Sequence, residues 1–306
     1  MAEDSPKHRT PLVSLHTLPD VPRLRLAVVG HVEVVTFLRV AEVPSAGAIC
    51  QAKEGMELPA GGGPVVAVQM AKLTGRPVAF FTALGRDRAG EQAAMDLEAL
   101  GLELHVAWRE APTRRGVSWV DDRGERTITV LGERLMPCAS DALPWSQLKE
   151  ADGVFVTATD VGGLQLARAC PVLAATPRVR WPVLLASGVT LDALVGSAFD
   201  PAEALPQDGT KPPSRCIIAT EAGAGSTALP GGLFGPPPLD GPLVDAYGAG
   251  DSFAAGLTAA LASGWSLAEA ISLGSHCGAA CLRGFGPYAR QLERADLKRP
   301  ASADNP

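Results

Sequence analysis

The segment Val244-Asp245-Ala246-Tyr247-Gly248-Ala249-Gly250-Asp251-Ser252-Phe253 sets small residues directly ahead of an Ala- and Leu-rich stretch that predicts a helix over 249–263. Glycine lets a backbone turn its N–H groups outward and approach an anion closely. A helix start adds unpaired donors and a partial positive charge. Gly248, Ala249 and Gly250 are therefore candidates for an anion hole that would hold a phosphoryl group in transit. Asp251 falls in the first turn. A carboxylate there can accept the proton of an attacking hydroxyl, and it can also simply cap the helix. No Gly-Lys-Ser/Thr follows, so this is not a Walker A loop.

These residues need a framework that brings them to one place. An apolar run over 24–30, ending at Gly30, reads as a buried first strand. Gly61-Gly62-Gly63-Pro64 opens a helix that Gly75 closes. A second buried strand is expected over 78–84, then a helix over 90–100. Strands over 116–120 and 126–130, joined by Asp121-Asp122-Arg123-Gly124, read as a hairpin. Further on, 154–157, 183–186 and 216–219 read as strands separated by helices, which implies βαβ units and a parallel sheet. Residues 231–242 read as a turn-rich loop, and a last helix is expected over 267–281. The ends, 1–22 and 299–306, read as mobile tails, with one domain over 23–298.

The motif resembles the second signature of the PfkB/ribokinase family of carbohydrate kinases, D-T-x-G-A-G-D. Asp245, Gly248, Ala249, Gly250 and Asp251 match it, and Ala246 stands in for the threonine. Gly61 and Gly62 resemble the glycine pair that borders the sugar. Gly85-Arg86-Asp87-Arg88-Ala89-Gly90 resembles the strand-end G-x-D-x-x-G. Thr220-Glu221-Ala222-Gly223-Ala224-Gly225 resembles the nucleotide-side loop, and Gly284-Phe285-Gly286-Pro287 falls where the family closes over adenine. The resemblance spans about residues 23–297. It implies an α/β fold, a ribokinase-like doubly wound, mostly parallel sheet flanked by helices, with a small β lid over about 35–58 and 107–131. Trp108 and Trp119 would then lie on lid strands.

The same resemblance implies an ATP-dependent phosphotransferase with Asp251 as base, acting on a hydroxyl of a sugar or sugar-containing molecule. Asp245, Thr220, Gly223, Gly225 and Gly284 would serve the nucleotide. The family's N-x-x-E element, which organises Mg²⁺ through water, is matched to Ser197-Ala198-Phe199-Asp200, with Asp200 as indirect Mg²⁺ ligand. K⁺ is used by several relatives near the anion loop. Glu33, Gly61, Gly62 and Arg114 would border the acceptor, and Gly61 and Gly62 do so by direct match. The chain departs from the family at Val35, where an Asp usually binds sugar, and at Val66, where an Asn does. Glu33 can substitute, or can pack under the lid. His31 reads as a packing residue.

Arg114 and Arg115 keep open a phosphosugar acceptor, since a guanidinium grips phosphate through two hydrogen bonds; a solvated lid edge is the other reading. A ligand-binding member of weak catalysis is a further alternative, motivated by Val35, Val66, Ala246 and Ser197. No G-x-G-x-x-G follows the first strand, against a dinucleotide fold. The net charge of −6 argues against a nucleic-acid partner. No long apolar run suggests a membrane span. The six cysteines show no CxxC spacing, and a reducing, cytoplasmic setting is expected. A homodimer through the lid is also expected.

Overall fold

Successive side chains of a strand point to opposite faces, and β1 (Leu26–Val29) shows both faces covered. Leu26 and Val28 enter one apolar cluster, while Ala27 and Val29 enter a second. The computed structural model describes residues 8–204, 209–237 and 239–298. After β1 come β2 (Glu33–Arg39), β3 (Glu54–Ala60), α1 (Gly62–Thr74), β4 (Val78–Gly85), α2 (Arg88–Ala99) and β5 (Leu102–Arg109). The hairpin β6 (Arg115–Val120) and β7 (Arg126–Leu131) follows, then β8 (Gly153–Val156), α3 (Val161–Ala167), β9 (Val172–Ala175), α4 (Trp181–Ala186) and β10 (Leu191–Ser197). The chain ends with β11 (Ser214–Thr220), β12 (Ser226–Leu229), β13 (Gly232–Phe234), α5 (Ala249–Ala262) and α6 (Leu267–Cys281).

Nine strands form the main sheet in the order β13-β12-β11-β10-β9-β8-β1-β4-β5. From β11 to β5 every pairing is parallel. Only β12 and β13 are antiparallel additions. Residues of α1, α2, α5 and α6 cover one face, and residues of α3 and α4 the other. This is the doubly wound α/β arrangement expected. A separate sheet, β3-β2-β6-β7, has the form of the lid.

The strand order reverses at β1, which has β4 on one side and β8 on the other. Open α/β sheets form a crevice at the carboxyl ends of the strands at such a switch point. Gly30 follows β1 and Thr157 follows β8. A Cβ on Gly30 would collide with the Thr157 hydroxyl, so only glycine permits this crevice floor. Helices α5 and α6 cross closely: a Cβ on Gly256 would lie 2.8 Å from Cys277 Sγ, and one on Gly274 2.8 Å from the Phe253 carbonyl oxygen.

The structure corrects three sequence expectations. The segment at 183–186 is helical, not a strand. Pro182 occupies the first turn of α4 and only Leu184 is fully covered; a short apolar run alone does not separate the two cases. The strands of that region are β9 and β10. Second, β5 pairs with β4 along its whole length. Trp108 therefore belongs to the main sheet, and of the expected 107–131 part of the lid only β6 and β7 remain, beside β2 and β3 and with Trp119 on β6.

Third, residues 8–22 are not a free tail where they are described. Thr10 N–H donates to Leu233 O at 2.8 Å and Thr10 O accepts from Gly235 N–H at 3.0 Å. Leu18 and Val21 are buried. Backbone pairing along the β13 edge and apolar cover hold this segment in place. Residues 1–7 and the C-terminal tail at 299–306 lie outside the described residues. Among those described, no helix is long and apolar enough to cross a membrane.

Candidate active site

Helix α5 begins with Gly248 at φ 82°, and no side chain caps it. The left-handed turn at Gly248 directs the following amides outward. A Cβ placed on Gly250 would meet nothing within 4 Å, so open space lies beside these donors. The N-cap position itself is a glycine, and Asp251 lies further on in the first turn. Its carboxylate faces α1: a Cβ on Gly62 would lie 3.0 Å from Asp251 Oδ1 and 3.5 Å from Thr157 Cγ2. The two glycine-led helix starts thus meet over the switch point.

Asp245 organises the loop from beneath. It is fully buried, accepts from Tyr247 N–H at 2.8 Å, and accepts from Gly286 N–H at 2.9 Å. Burial raises its pKa while those amides oppose the rise. Tyr247 in turn accepts from Gly61 N–H at 3.0 Å through its hydroxyl. The anion loop and the acceptor-side glycine pair are therefore built as one piece.

Burial pushes the Asp251 carboxyl above the ordinary carboxylate range, and the positive charge of Arg178 pulls against that. On Arg178 itself burial disfavours the charge, but Asp251 and Glu203 outweigh it and raise its pKa. Arg178 Nε pairs with Glu203, and Arg178 Nη2 lies 3.4 Å from Asp200. Glu203 is buried and also accepts from Ser197 N–H at 2.7 Å.

Next to the segment matched to N-x-x-E, a further carboxylate approaches the site. Asp200-Pro201-Ala202-Glu203 carries the carboxylate that reaches the site, through Arg178. Ser197 serves as backbone support, and Asp200 closes a local turn by accepting from Ala202 N–H at 2.9 Å. Thr220 pairs in register with Ser197.

On the acceptor side, Glu33 opens β2 and is buried. It lies 2.9 Å from Arg114 Nε and 3.6 Å from His31 Nε2. Burial alone would raise the Glu33 pKa, but His31 and the charges of Arg114 and Arg134 bring it below the usual value. Burial lowers the His31 pKa to about 4, so this ring is neutral near pH 7. Its Nδ1 is buried without a hydrogen-bond partner, and Gly61 lies against the ring. His31 is thus a packing residue, as expected, and it packs at the wall of the site. Val35 and Val66 are wholly buried. Arg115 is turned away, 3.4 Å from Glu57.

Arg134, Arg178, Arg180, Thr157 and Glu203 were not singled out in the sequence. Each follows a strand whose end faces the crevice, except Arg134, which follows the lid hairpin. Their signal was position: arginines and a threonine just past strand ends, in Thr157-Ala158-Thr159 and Pro177-Arg178-Val179-Arg180. Of the nucleotide-side candidates, Gly223 faces open space, whereas Gly225 (φ 106°) packs against Phe234 and Gly235, and Gly284 packs against Ala289 and Arg290. Gly286, two residues on, is the one bonded to the anion loop. Among the described residues, no group of three or more His, Cys, Asp or Glu forms a metal cage.

The lid lies against this site. Phe37 of β2 meets Tyr247 edge-to-face at 4.8 Å and Phe285 at 6.5 Å. The hairpin turn reaches the loop before α5, where Gly124 O accepts from Ala246 N–H at 3.0 Å.

Residues 190–294 match the family profile described as pfkB family carbohydrate kinase. No match is found among curated protein sequences. Among solved structures, the ribokinase of Thermotoga maritima superposes with a TM-score of 0.68 at 20% identity, over 90% of this chain and 98% of that one. The Arabidopsis thaliana ribokinase complexed with ribose and ATP gives 0.67 at 19% identity, over 90% and 97%. The adenosine kinase of Sinorhizobium meliloti gives 0.68 at 20% identity, over 90% and 98%. The chain has the ribokinase-like fold, and its C-terminal part carries the pfkB family match.

Proposed function

We propose that the protein is an ATP-dependent kinase that transfers the γ-phosphoryl group to a hydroxyl of a sugar or sugar-containing small molecule. The observation that carries this reading is the uncapped, glycine-led start of α5 with Asp251 facing the second glycine-led helix rather than its own amides. The Gly248–Gly250 amides would hold the transferring group. Asp251 would take the hydroxyl proton as the new O–P bond forms and the bond to ADP breaks. Arg178, held by Glu203, would offset negative charge in transit. Thr220 and Gly223 would border the nucleotide, with Asp245 holding the loop.

The donor set suits Mg²⁺ bound mainly to nucleotide phosphates, since carboxylates are present at Asp200 and Glu203 but, among the described residues, no protein cage is. Mg²⁺ would supply charge neutralisation on those phosphates. A K⁺ site near the anion loop remains part of this reading by resemblance. Solved neighbours include a ribokinase with ribose and ATP and an adenosine kinase, so sugars and nucleosides both belong in the first acceptor panel.

The test is ADP release from ATP–Mg²⁺ against free sugars, nucleosides and phosphosugars. An acceptor-dependent signal that disappears in Asp251→Asn is expected. Silence with every acceptor, from a protein that binds ATP, would instead support a ligand-binding member of weak catalysis.

A further inference from the structure

A cleft of about 480 Å³ adjoins the site, lined by Arg114, Arg134 and Arg180 together with Glu133, Met136, Ala158 and Val179. It connects to the reacting centre through bonded neighbours. Arg134 donates to the Thr157 carbonyl oxygen at 3.0 Å and to that of Arg178. The Thr157 side chain touches the Gly62 position, which faces Asp251.

The charges in this cleft do not cancel. Arg114 is paired with Glu33. Arg134 directs Nη2 to the two backbone carbonyls, and among the described residues neither it nor Arg180 has a carboxylate within ion-pair distance. Glu133 sits at the exposed rim. Burial and the charges of Arg180 and Arg114 lower the Arg134 pKa to about 10, the mark of cations crowded in a partly dry place. Arg180 also holds a backbone φ of 86°, a conformation that a side-chain-bearing residue adopts only when its surroundings enforce it. A neutral sugar hydroxyl would leave these guanidiniums uncompensated. A dianion gripped by two forked donors would not.

We propose that the acceptor already carries a phosphomonoester, seated on Arg134 and Arg180 with Arg114 beside it, while its free hydroxyl faces Asp251. The inference rests on the kinase reading above and narrows its substrate to phosphorylated sugars or polyols. In the reaction the hydroxyl oxygen bonds to the γ-phosphorus, the bond from that phosphorus to ADP breaks, and the proton passes to Asp251. The products are ADP and a bisphosphate.

The experiment compares sugar monophosphates with their unphosphorylated parents and with sugar acids, in the full-length protein. Wild type, Arg134→Gln and Arg180→Gln are each checked for a cooperative thermal transition. Arg180→Gln removes no hydrogen bond seen in the structure and so serves if Arg134→Gln fails to fold. Expected is a kcat/KM at least about 100-fold higher for a monophosphate than for its parent. Arg180→Gln is expected to raise KM for that acceptor at least about tenfold while KM for ATP stays within about twofold. A parent sugar, nucleoside or sugar acid used as well as any monophosphate would overturn the phosphate subsite and leave the kinase standing. A monophosphate used equally well by both variants would also overturn it. Absence of Asp251-dependent ADP release with every acceptor would sink the inference together with the reading beneath it.

Discussion

Asp251 sits between two opposed influences: burial raises its proton affinity and the Arg178 guanidinium lowers it. A general base works only when ionised, so kcat/KM should fall as pH drops through this raised value. Arg178→Gln removes the opposing charge. The pKa then rises further, and the acidic limb of the pH–rate profile should move to higher pH, whereas Arg178→Lys should largely hold it in place. An unmoved limb in Arg178→Gln would separate the titrating group from Asp251. At this scale the sequence disclosed what is contiguous. Asp245, Gly248, Gly250 and Asp251 share one loop and one helix start, so their spacing carried their geometry. Arg134, Glu203 and the neighbouring Arg178 and Arg180 come from three separate segments. Only the sheet brings them together, and no local pattern announces that. Glu203 went unread beside Ser197–Asp200 for the same reason, because the ion pair that brings it to Arg178 is a tertiary contact.

Helices α5 and α6 explain how so small a loop is held firmly. Their close crossing depends on residues without bulk at Gly256, Gly274 and Gly278, and it fixes the base of the helix whose N-terminus forms the anion hole. Gly256→Val would press a side chain onto Cys277 Sγ, 2.8 Å from where its Cβ falls. A loss of about 1–3 kcal/mol in stability is expected by urea denaturation, and a change below a few tenths of that would show that the crossing has slack. Elements with strong period or clear punctuation were legible: α1 between Gly61 and Gly75, the β6–β7 hairpin with its Asp-rich turn, and both final helices. The apolar run at 183–186 was not, because four apolar residues suit a strand or one helical turn equally. Strand β5 was missed as a main-sheet member because Glu103 and His105 break its apolar run at the sheet edge.

Across the whole molecule, the lid is packed and hydrogen-bonded onto the anion loop. Phe37 packs on Tyr247, whose hydroxyl accepts from Gly61 N–H; one aromatic contact therefore links lid, anion loop and acceptor side. Phe37→Ala should cost about 3–5 kcal/mol if the cavity does not collapse. It should also raise acceptor-independent ATP hydrolysis, because a loosened lid admits water; tight coupling in that variant would show that the lid does not exclude water. The outer lid strand β7 is exposed at every position and presents Ile128, Val130 and Leu131 to solvent. A second copy of this strand is the expected cover. Sedimentation should show a dimer that Val130→Lys shifts toward monomer, and a monomeric wild type would contradict this. The central claim is phosphoryl transfer with Asp251 as base, and steady-state turnover of Asp251→Asn beside wild type, with ATP binding measured by calorimetry on both, tests it most directly. The account expects turnover to fall by about 10²–10⁴-fold with ATP affinity unchanged; near-normal turnover in Asp251→Asn would contradict it.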